Sequence, residues 1–307
     1  MANVSNERMS GVLCPVITPF NQDLSPDPDR LIRQCQWLLS QNVGLAVFGT
    51  NSEANSLSIE EKMVLLDHLV DAGINTNRMM PGTGCCALTD TVRLTKHAVN
   101  LGCAGTLMLP PFYYKGVSDD GLFASFSEII ERVGQSSLRI YLYHIPPVSQ
   151  VGISVALIER LIKAYPDTVV GVKDSSGDWD NTNAMLQRHW DDFRVFAGAE
   201  TFLLQNMRGG GSGCISATAN INPAAIDRLY REWQSPQAET LQKDLDEIRD
   251  IAMAYPMIPA LKATVGHFSN DAQWRTVRPP LVALADDQCS ALVASLLQKG
   301  FDMPGLS

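Results

Sequence analysis

Short apolar runs alternate with longer amphipathic segments along most of the chain. Eight runs have the length of buried strands, and each precedes a polar loop and a helix-like pattern. They are GVLCPVIT (11–18), GLAVFG (44–49), MMPGTG (79–84), GTLMLP (105–110), RIYLYHI (139–145), TVVGVK (168–173), FRVFAG (193–198) and SGCISA (212–217). Repeated strand–helix units indicate an α/β protein, and eight units favour a closed (β/α)8 TIM barrel over a doubly wound open sheet.

Two helix-like segments carry clear end signals. The segment SPDPDRLIRQCQWLLSQ (25–41) begins with capping residues and then repeats apolar positions at helical spacing. In SIEEKMVLLDHLVDAG (58–73), Ser58 is the expected N-cap and Gly73 the expected end. Beyond about residue 233 the pattern is helical without strand runs. We therefore predict a barrel domain over 1–233 and a C-terminal helical extension over 234–307 that packs on the barrel.

The charge balance limits the partners. The chain has 307 residues, a formal net charge of −9 and 45% hydrophobic residues. An acidic surface argues against nucleic-acid binding, but a few local donors can still hold one small carboxylate. No apolar run approaches the roughly 18 residues of a membrane span, and residues 1–11 lack the apolar core of a signal peptide.

Cysteine and glycine patterns predict no metal or phosphate site. The seven cysteines are scattered, which is typical of reduced thiols in a cytoplasmic protein, and the Cys85–Cys86 pair is not expected to be a redox pair. No clustered Cys/His spacing indicates a metal. The stretch RGGGSG (208–213) lacks the ending of a phosphate-binding loop and predicts a tight turn.

A lysine ends the sixth candidate strand, in GVKDSSGD (171–178). Catalytic groups of a barrel lie at the carboxyl ends of its strands, so Lys173 would lie at the barrel mouth. Desolvation in an apolar interior disfavours the ammonium form, and a neutral amine can attack a ketone to form a Schiff base. The alternative is a lysine whose alkyl stem lies on the protein and whose ammonium reaches water. The strand-end position favours the nucleophile without excluding that alternative.

Two further strand ends carry polar groups that would meet at the same mouth. Tyr143 lies near the end of the fifth candidate strand, beside His144, and Thr50 and Asn51 follow the second. A phenol can move protons between a lysine adduct and its substrate, although a buried core tyrosine is the alternative. A loop with a hydroxyl, an amide and backbone N–H groups can bind a carboxylate, although such loops also cap helices. Glu53 has no paired acid and is expected to be structural.

Several short motifs follow one another in a specific order and spacing over about residues 10–300. They are PVITPF, GTNSE, GTGC, PPFYYKG, YLYHIPP, GVKDSSGD, VFAG, GCISATAN and IPALKATVG. In these motifs the chain resembles the pyruvate-dependent class I aldolases of the dihydrodipicolinate synthase and N-acetylneuraminate lyase superfamily. The resemblance implies a TIM barrel and chemistry through a covalent Schiff base, with no cofactor and no metal.

The resemblance implies a role for each residue that matches a family motif. Lys173 matches the Schiff-base lysine, and Tyr143 matches the tyrosine that relays protons. Thr50 and Asn51 match the pair that holds the pyruvate carboxylate and links into the relay. Tyr114 matches a tyrosine that reaches a neighbouring subunit's site in a tight dimer. Two further matches are backbone positions that line the pocket: Gly198 and Ile215. The resemblance also implies a homotetramer built from tight dimers.

Two motifs depart from the common family pattern. In GTNSE, Asn51 and Ser52 replace a Thr and a Gly; the Asn resembles the G-S-N-G-E form of 4-hydroxy-2-oxoglutarate aldolase-like members, so Asn51 is compatible with catalysis. After the tyrosine motif, Val148 stands where dihydrodipicolinate synthases commonly carry an arginine that recognises the second substrate's carboxylate. Loss of such a charge-assisted hydrogen bond, about 1.5–3 kcal/mol, argues against that reaction. His144 is unusual at its position; it either contacts a substrate hydroxyl or points away from the mouth.

The resulting hypothesis is a lyase that cleaves or forms a 4-hydroxy-2-oxo acid, with pyruvate or a similar 2-oxo acid as the Schiff-base partner. A dehydratase or hydratase-aldolase of a 2-keto-3-deoxy sugar acid would use the same iminium and is the first alternative. Dihydrodipicolinate synthase itself ranks third because of Val148. A non-enzymatic protein that binds a 2-oxo acid is disfavoured, since a binder has no need of the nucleophile.

Overall fold

The computed structural model describes residues 8–306, which divide into two compact units. The first unit comprises the chain up to Gly11 together with Asn75–Ile215. The second comprises Val12–Ile74 together with the chain from Ser216 onward. Residues 1–7, in which no signal peptide is expected, and Ser307 lie outside the described residues.

The described residues of the first unit contain five parallel strands: β3 (Thr106–Met108), β4 (Ile140–His144), β5 (Val169–Asp174), β6 (Arg194–Ala197) and β7 (Gly213–Ile215). They are hydrogen-bonded neighbours in the order β7-β6-β5-β4-β3. The helices are α3 (Leu88–Asn100), α4 (Asp119–Val133), α5 (Pro146–Ser149), α6 (Val155–Ala164), α7 (Trp179–Leu186) and α8 (Leu203–Arg208). Strands and helices therefore alternate as the apolar pattern predicts.

One face of this sheet packs against the helices. Leu142 of β4 and Val172 of β5 belong to one buried cluster that also contains Phe126 of α4 and Leu157 of α6. Successive side chains of a strand point to opposite faces. The neighbours of Leu142 and Val172 along each strand therefore lie on the other face of the sheet.

The predicted strand at 79–84 is wrong as a strand. Only single bridge residues, Met79 and Gly82, are assigned there; Gly82 pairs in parallel with Leu107, supported by hydrogen bonds from Leu107 N to Pro81 O and from Thr83 N to Leu107 O. Pro81 has no N–H to donate to a ladder, and glycines weaken a strand. At Gly84 an added Cβ would lie 2.4 Å from Leu109 N, so the glycine allows the backbone of this segment to lie close to the backbone at Leu109.

The second unit contains two parallel strands, β1 (Gly11–Cys14, of which Gly11 is assigned to the first unit) and β2 (Gly44–Leu45). Its helices are α1 (Pro28–Ser40), α2 (Ile59–Asp71), α9 (Pro223–Glu232), α10 (Ala238–Met253), α11 (Met257–Phe268) and α12 (Asp286–Gln298). Ser58 caps α2 in a reciprocal capping box with Glu61, which confirms the predicted start of that helix. Gly73 follows α2 with a positive φ of 79°, as expected at a helix end.

The described part of 234–307 consists of helices α10, α11 and α12 with turns between them, and no strand is assigned in it. The division at 233/234 stays a proposal. The glycine-rich stretch 208–213 is the turn from α8 into β7, as predicted; at Gly213 an added Cβ would lie 1.9 Å from Gly11 O. None of the helices that the structure describes is both long and apolar enough to cross a membrane.

Candidate active site

Lys173 and Tyr143 lie side by side on the first unit's sheet. They are register partners near the carboxyl ends of β5 and β4, and Lys173 Nζ lies 4.2 Å from the centroid of the Tyr143 ring. Both are buried, with 2% and 3% of their surface exposed. This burial rules out the surface lysine that the sequence left open. Among the described residues, no carboxylate lies within ion-pair distance of Lys173.

A register irregularity between β4 and β5 brings the two side chains to the same face. Ile140 is the partner of Val169, but Tyr141 is the partner of Gly171, so one residue of β5 is skipped. Without this skip, Tyr143 would be paired with Val172, and Lys173 would lie on the face that packs on the helices. Gly171 makes room for the large neighbour, since an added Cβ would lie 2.5 Å from the Tyr141 ring.

Asp174, the residue after the lysine, is tied down by three donors. Its carboxylate accepts hydrogen bonds from Ser176 N at 2.9 Å, Asn181 Nδ2 at 2.9 Å and Thr182 Oγ1 at 2.7 Å. Only 3% of its surface is exposed. A buried carboxylate with this many donors fixes the backbone around it. Sequence reasoning missed this anchor; the acid directly after the strand-end lysine was the available signal.

Gly198 lies against the same strand end. Its N–H donates to Asp174 O at 2.7 Å, and an added Cβ would lie 2.6 Å from that oxygen and 2.7 Å from Ser175 Cα. Only glycine fits this approach of two backbones. Ile215, at the end of β7, is fully buried. That these two positions line a substrate pocket stays a prediction.

His144 lies on the other face of β4 from Tyr143. Its Nδ1 accepts a hydrogen bond from Ile153 N at 2.9 Å, and its ring packs on Gly152, so the neutral ring carries its proton on Nε2. Burial lowers the pKa of His144, and the nearby charge of Asp174 partly opposes this effect. This geometry agrees with the interpretation that His144 points away from the site. A contact with a substrate hydroxyl stays a prediction that the geometry does not favour.

Tyr114 lies on the surface of the first unit. About 74% of its surface is exposed, and its ring meets the ring of Tyr113 edge-on at 5.3 Å. The next residue, Lys115, donates to Ser149 O at 2.7 Å, which fixes the segment to α5. The exposed position leaves the ring accessible to another chain. Its role across a subunit boundary stays a prediction.

Thr50 and Asn51 belong to a short 3-10 turn of the second unit, Thr50–Ser52, and both are half-buried. Ser52 closes the turn, because its hydroxyl accepts from Gly49 N at 3.1 Å and its carbonyl accepts from Thr18 Oγ1 at 2.6 Å. The turn is therefore held both by Ser52 within it and by Thr18 from outside it. Carboxylate binding by Thr50 and Asn51 stays a prediction.

The described residues contain no group of three or more His, Cys, Asp or Glu side chains arranged to hold a metal ion. Cys85 and Cys86, both among the described residues, are not joined by a disulfide.

Comparison with known proteins places these features in a family. The model of the dihydrodipicolinate synthetase family matches residues 8–299. An uncharacterized DapA-like lyase of Chloroflexus aurantiacus is 31% identical over 288 residues, which cover 93% of this chain and 95% of the relative. The crystal structure of dihydrodipicolinate synthase from Agrobacterium tumefaciens is 32% identical, with a TM-score of 0.88, and the match covers 94% of this chain and 99% of that chain.

A variant of the Sulfolobus solfataricus 2-keto-3-deoxygluconate aldolase matches with a TM-score of 0.84 at 23% identity, covering 94% of this chain and 95% of that one. At this identity the likeness concerns the fold alone. Together these matches confirm the predicted α/β class, a TIM barrel with a C-terminal helical region.

Proposed function

Since the chain belongs to the dihydrodipicolinate synthetase family, we propose that this carbon–carbon lyase cleaves or forms a 4-hydroxy-2-oxo acid, with pyruvate as the 2-oxo acid partner. The family-level assignment, a class I pyruvate-dependent aldolase, follows from the family. The single observation that carries the finer proposal is the buried contact between Lys173 and Tyr143.

Lys173 is the proposed nucleophile. Its neutral amine attacks C2 of the 2-oxo acid, and loss of one water molecule from the carbinolamine gives an iminium ion. Lys173 is buried and has no carboxylate partner among the described residues, which supports this role because its amine is not engaged in an ion pair. No cofactor is needed, since the iminium itself serves as the electron sink.

Tyr143 is the proposed proton relay. Cleavage requires removal of the proton from the C4 hydroxyl of the bound substrate, and the C3–C4 electron pair then moves into the iminium to give an enamine. An aldehyde leaves, a proton returns to C3, and water hydrolyses the new iminium to release pyruvate. A phenol beside the lysine is within reach of the adduct that carries these protons.

The remaining assignments complete the proposal. Thr50 and Asn51 bind the carboxylate of the 2-oxo acid, and Gly198 and Ile215 present backbone atoms to the pocket. Tyr114 acts at the site of a neighbouring subunit, in a homotetramer built from tight dimers. The family resemblance supports these roles, as do the half-buried loop for Thr50 and Asn51 and the exposed ring for Tyr114. A cytoplasmic location belongs to the same proposal.

Val148 supports the ranking of substrates. It lies on α5 with 60% of its surface exposed, and its apolar side chain offers no donor to a second carboxylate. A site built to bind two carboxylates would need such a donor, because an unpaired buried carboxylate is costly. This argues for a neutral or hydroxylated aldehyde partner rather than an amino-acid semialdehyde.

The proposal is tested by product analysis. The enzyme is incubated with 4-hydroxy-2-oxo acids, and pyruvate and aldehyde are quantified for the wild type and for Lys173→Ala. Equimolar pyruvate and aldehyde from the wild type alone would support the proposal. Full activity in Lys173→Ala would overturn it. Water loss without carbon–carbon cleavage would indicate the sugar-acid dehydratase, and robust condensation of pyruvate with aspartate semialdehyde would indicate dihydrodipicolinate synthase.

A further inference from the structure

A buried ion pair lies directly behind the Thr50–Ser52 turn. Glu53, the next residue, pairs with Lys262 of α11, and both side chains are fully buried. Burying two charges is expensive, so such a pair is weak evidence for stability alone. A buried ion pair is better explained by a role in selecting one conformation of the chain over others.

Lys262 is held from three directions. Besides Glu53, its ammonium donates to Thr276 O at 2.8 Å and lies 4.4 Å from the centroid of the Phe20 ring. Burial lowers the pKa of Lys262 to about 8, and the charge of Glu53 opposes this effect, so the ammonium form persists at neutral pH. The lysine therefore gives Glu53 a fixed positive partner.

Glu53 has a second anchor in the C-terminal segment. Its Oε2 accepts a hydrogen bond from Arg278 N at 3.0 Å. The Arg278 guanidinium in turn donates to Ser56 O at 2.7 Å and pairs with Glu61 at the start of α2. The segment from α11 to Arg278 therefore holds the chain at 53, 56 and 61.

The backbone at Glu53 explains why such anchoring is needed. Its φ of 55° and ψ of 32° lie in the left-handed region, which is unfavourable for a residue with a side chain. Glu53 N also donates to Thr50 O, so the direction of the turn depends on this one conformation. A residue in this region persists where its surroundings over-determine it.

We propose that Glu53 and Lys262 are positioning residues that hold the Thr50–Asn51 loop in the geometry needed to bind the carboxylate of the 2-oxo acid. The proposal rests on the proposed function for the role of that loop. Neither residue touches substrate; both act through the backbone conformation of the turn. The C-terminal extension thereby becomes part of the machinery for substrate binding.

The test uses Glu53→Gln, Lys262→Met and the double variant in the full chain. The rate of borohydride-trapped adduct formation is measured against pyruvate concentration. We expect the pyruvate concentration for half-maximal rate to rise about tenfold or more, because a small displacement of the loop weakens carboxylate binding. The saturating rate should change little, because Lys173 and Tyr143 are untouched.

A second readout does not depend on pyruvate. Hydrogen exchange of the peptide that covers 46–57 should be slow in the wild type and faster in the variants, with the α6 peptide unchanged. Should a single variant fail to fold, the double variant, which removes both charges and keeps the volume, carries the test. Fast exchange of this peptide in the wild type would by itself overturn the proposal.

Asp271→Asn is the matched control. Asp271 pairs with Arg30 of α1 at 2.6 Å. The substitution therefore removes an ion pair that the same C-terminal segment makes, but one in which the loop takes no part. Half-saturation should stay at the wild-type value in this control. Unchanged half-saturation and exchange in folded Glu53→Gln and Lys262→Met would overturn the positioning role. Faster loop exchange in the variants, with no adduct in the wild type, would instead support the positioning of the loop and reject the proposed function.

Discussion

Tyr143 and Lys173 face each other across β4 and β5 because β5 contributes one extra residue, Val170, between the partners of Ile140 and Tyr141. The shift places a phenol and an amine on the face of the sheet that does not pack on the helices. A one-residue change in register would send one of them to the other face. The candidate site therefore depends on a local irregularity of the ladder as much as on the two residue types.

Tyr143→Phe should separate the ring of the tyrosine from its hydroxyl. The phenyl ring keeps its contact with Lys173, but the proton relay is lost. We expect turnover of a 4-hydroxy-2-oxo acid to fall by about 10²–10⁴-fold, the usual contribution of general acid–base catalysis. Initial rates with saturating substrate provide the measurement. Turnover within about twofold of the wild type would reject the relay role.

Tyr141→Phe is the control for that variant. Tyr141 lies two residues earlier on the same strand and accepts a hydrogen bond from Met9 N at 2.8 Å. Its loss should cost about 1 kcal/mol of unfolding free energy and leave turnover unchanged. Equal losses of turnover in the two variants would indicate a general effect on the strand.

Gly198→Ala should damage the strand end next to Lys173. The added Cβ would lie 2.6 Å from Asp174 O and 2.7 Å from Ser175 Cα, and these two atoms belong to backbone that cannot move aside easily. We expect a loss of about 1–3 kcal/mol of unfolding free energy, as for overpacking in a core, together with slower adduct formation. Urea unfolding gives the first quantity.

Gly121→Ala is the matched control for this substitution. Gly121 lies in the first turn of α4, and the nearest atom to an added Cβ there is Ser118 Oγ at 3.6 Å. Alanine is the better helix former, so stability should be equal to or above that of the wild type. If both alanine variants unfold at the wild-type urea concentration, the close backbone contact at Gly198 does not require glycine, and the prediction is wrong.

The buried His144 should make the protein less stable in mild acid. Its folded pKa is lowered by burial, so between that value and about 6.5 the unfolded chain binds a proton that the folded chain does not. Stability therefore rises with pH through this window and is lost as the pH falls below about 6.5. Urea midpoints from pH 7.5 to 5.5 should fall more steeply in the wild type than in His144→Gln. Parallel pH profiles would contradict this account.

Much of this arrangement can be predicted from the sequence, because the strand ends at Tyr143 and Lys173 follow directly from the apolar runs. The segment at 79–84 was assigned wrongly because apolar Met79 and Met80 mask the effect of Pro81. The register skip at Tyr141 leaves no mark in the sequence, since either register pairs apolar residues.

The partner of Glu53 could not be predicted for a different reason. Lys262, in the motif IPALKATVG, comes 209 residues after Glu53 in the sequence. It lies on helix α11, whose other residues are mostly apolar, and no local sequence pattern connects it to the loop. Glu53 was expected to be structural, and its carboxylate contacts Lys262 and the backbone N–H of Arg278. Which groups these are depends on long-range packing.

The most direct test of the account is to trap the Schiff base. The wild type is incubated with pyruvate and borohydride, and the intact mass and the modified peptide are determined. We predict one reduced pyruvyl adduct per chain, mapped to Lys173 and not to Lys262, the other fully buried lysine. An unmodified chain in a well-folded sample, or an adduct on any lysine except Lys173, would contradict the central claim.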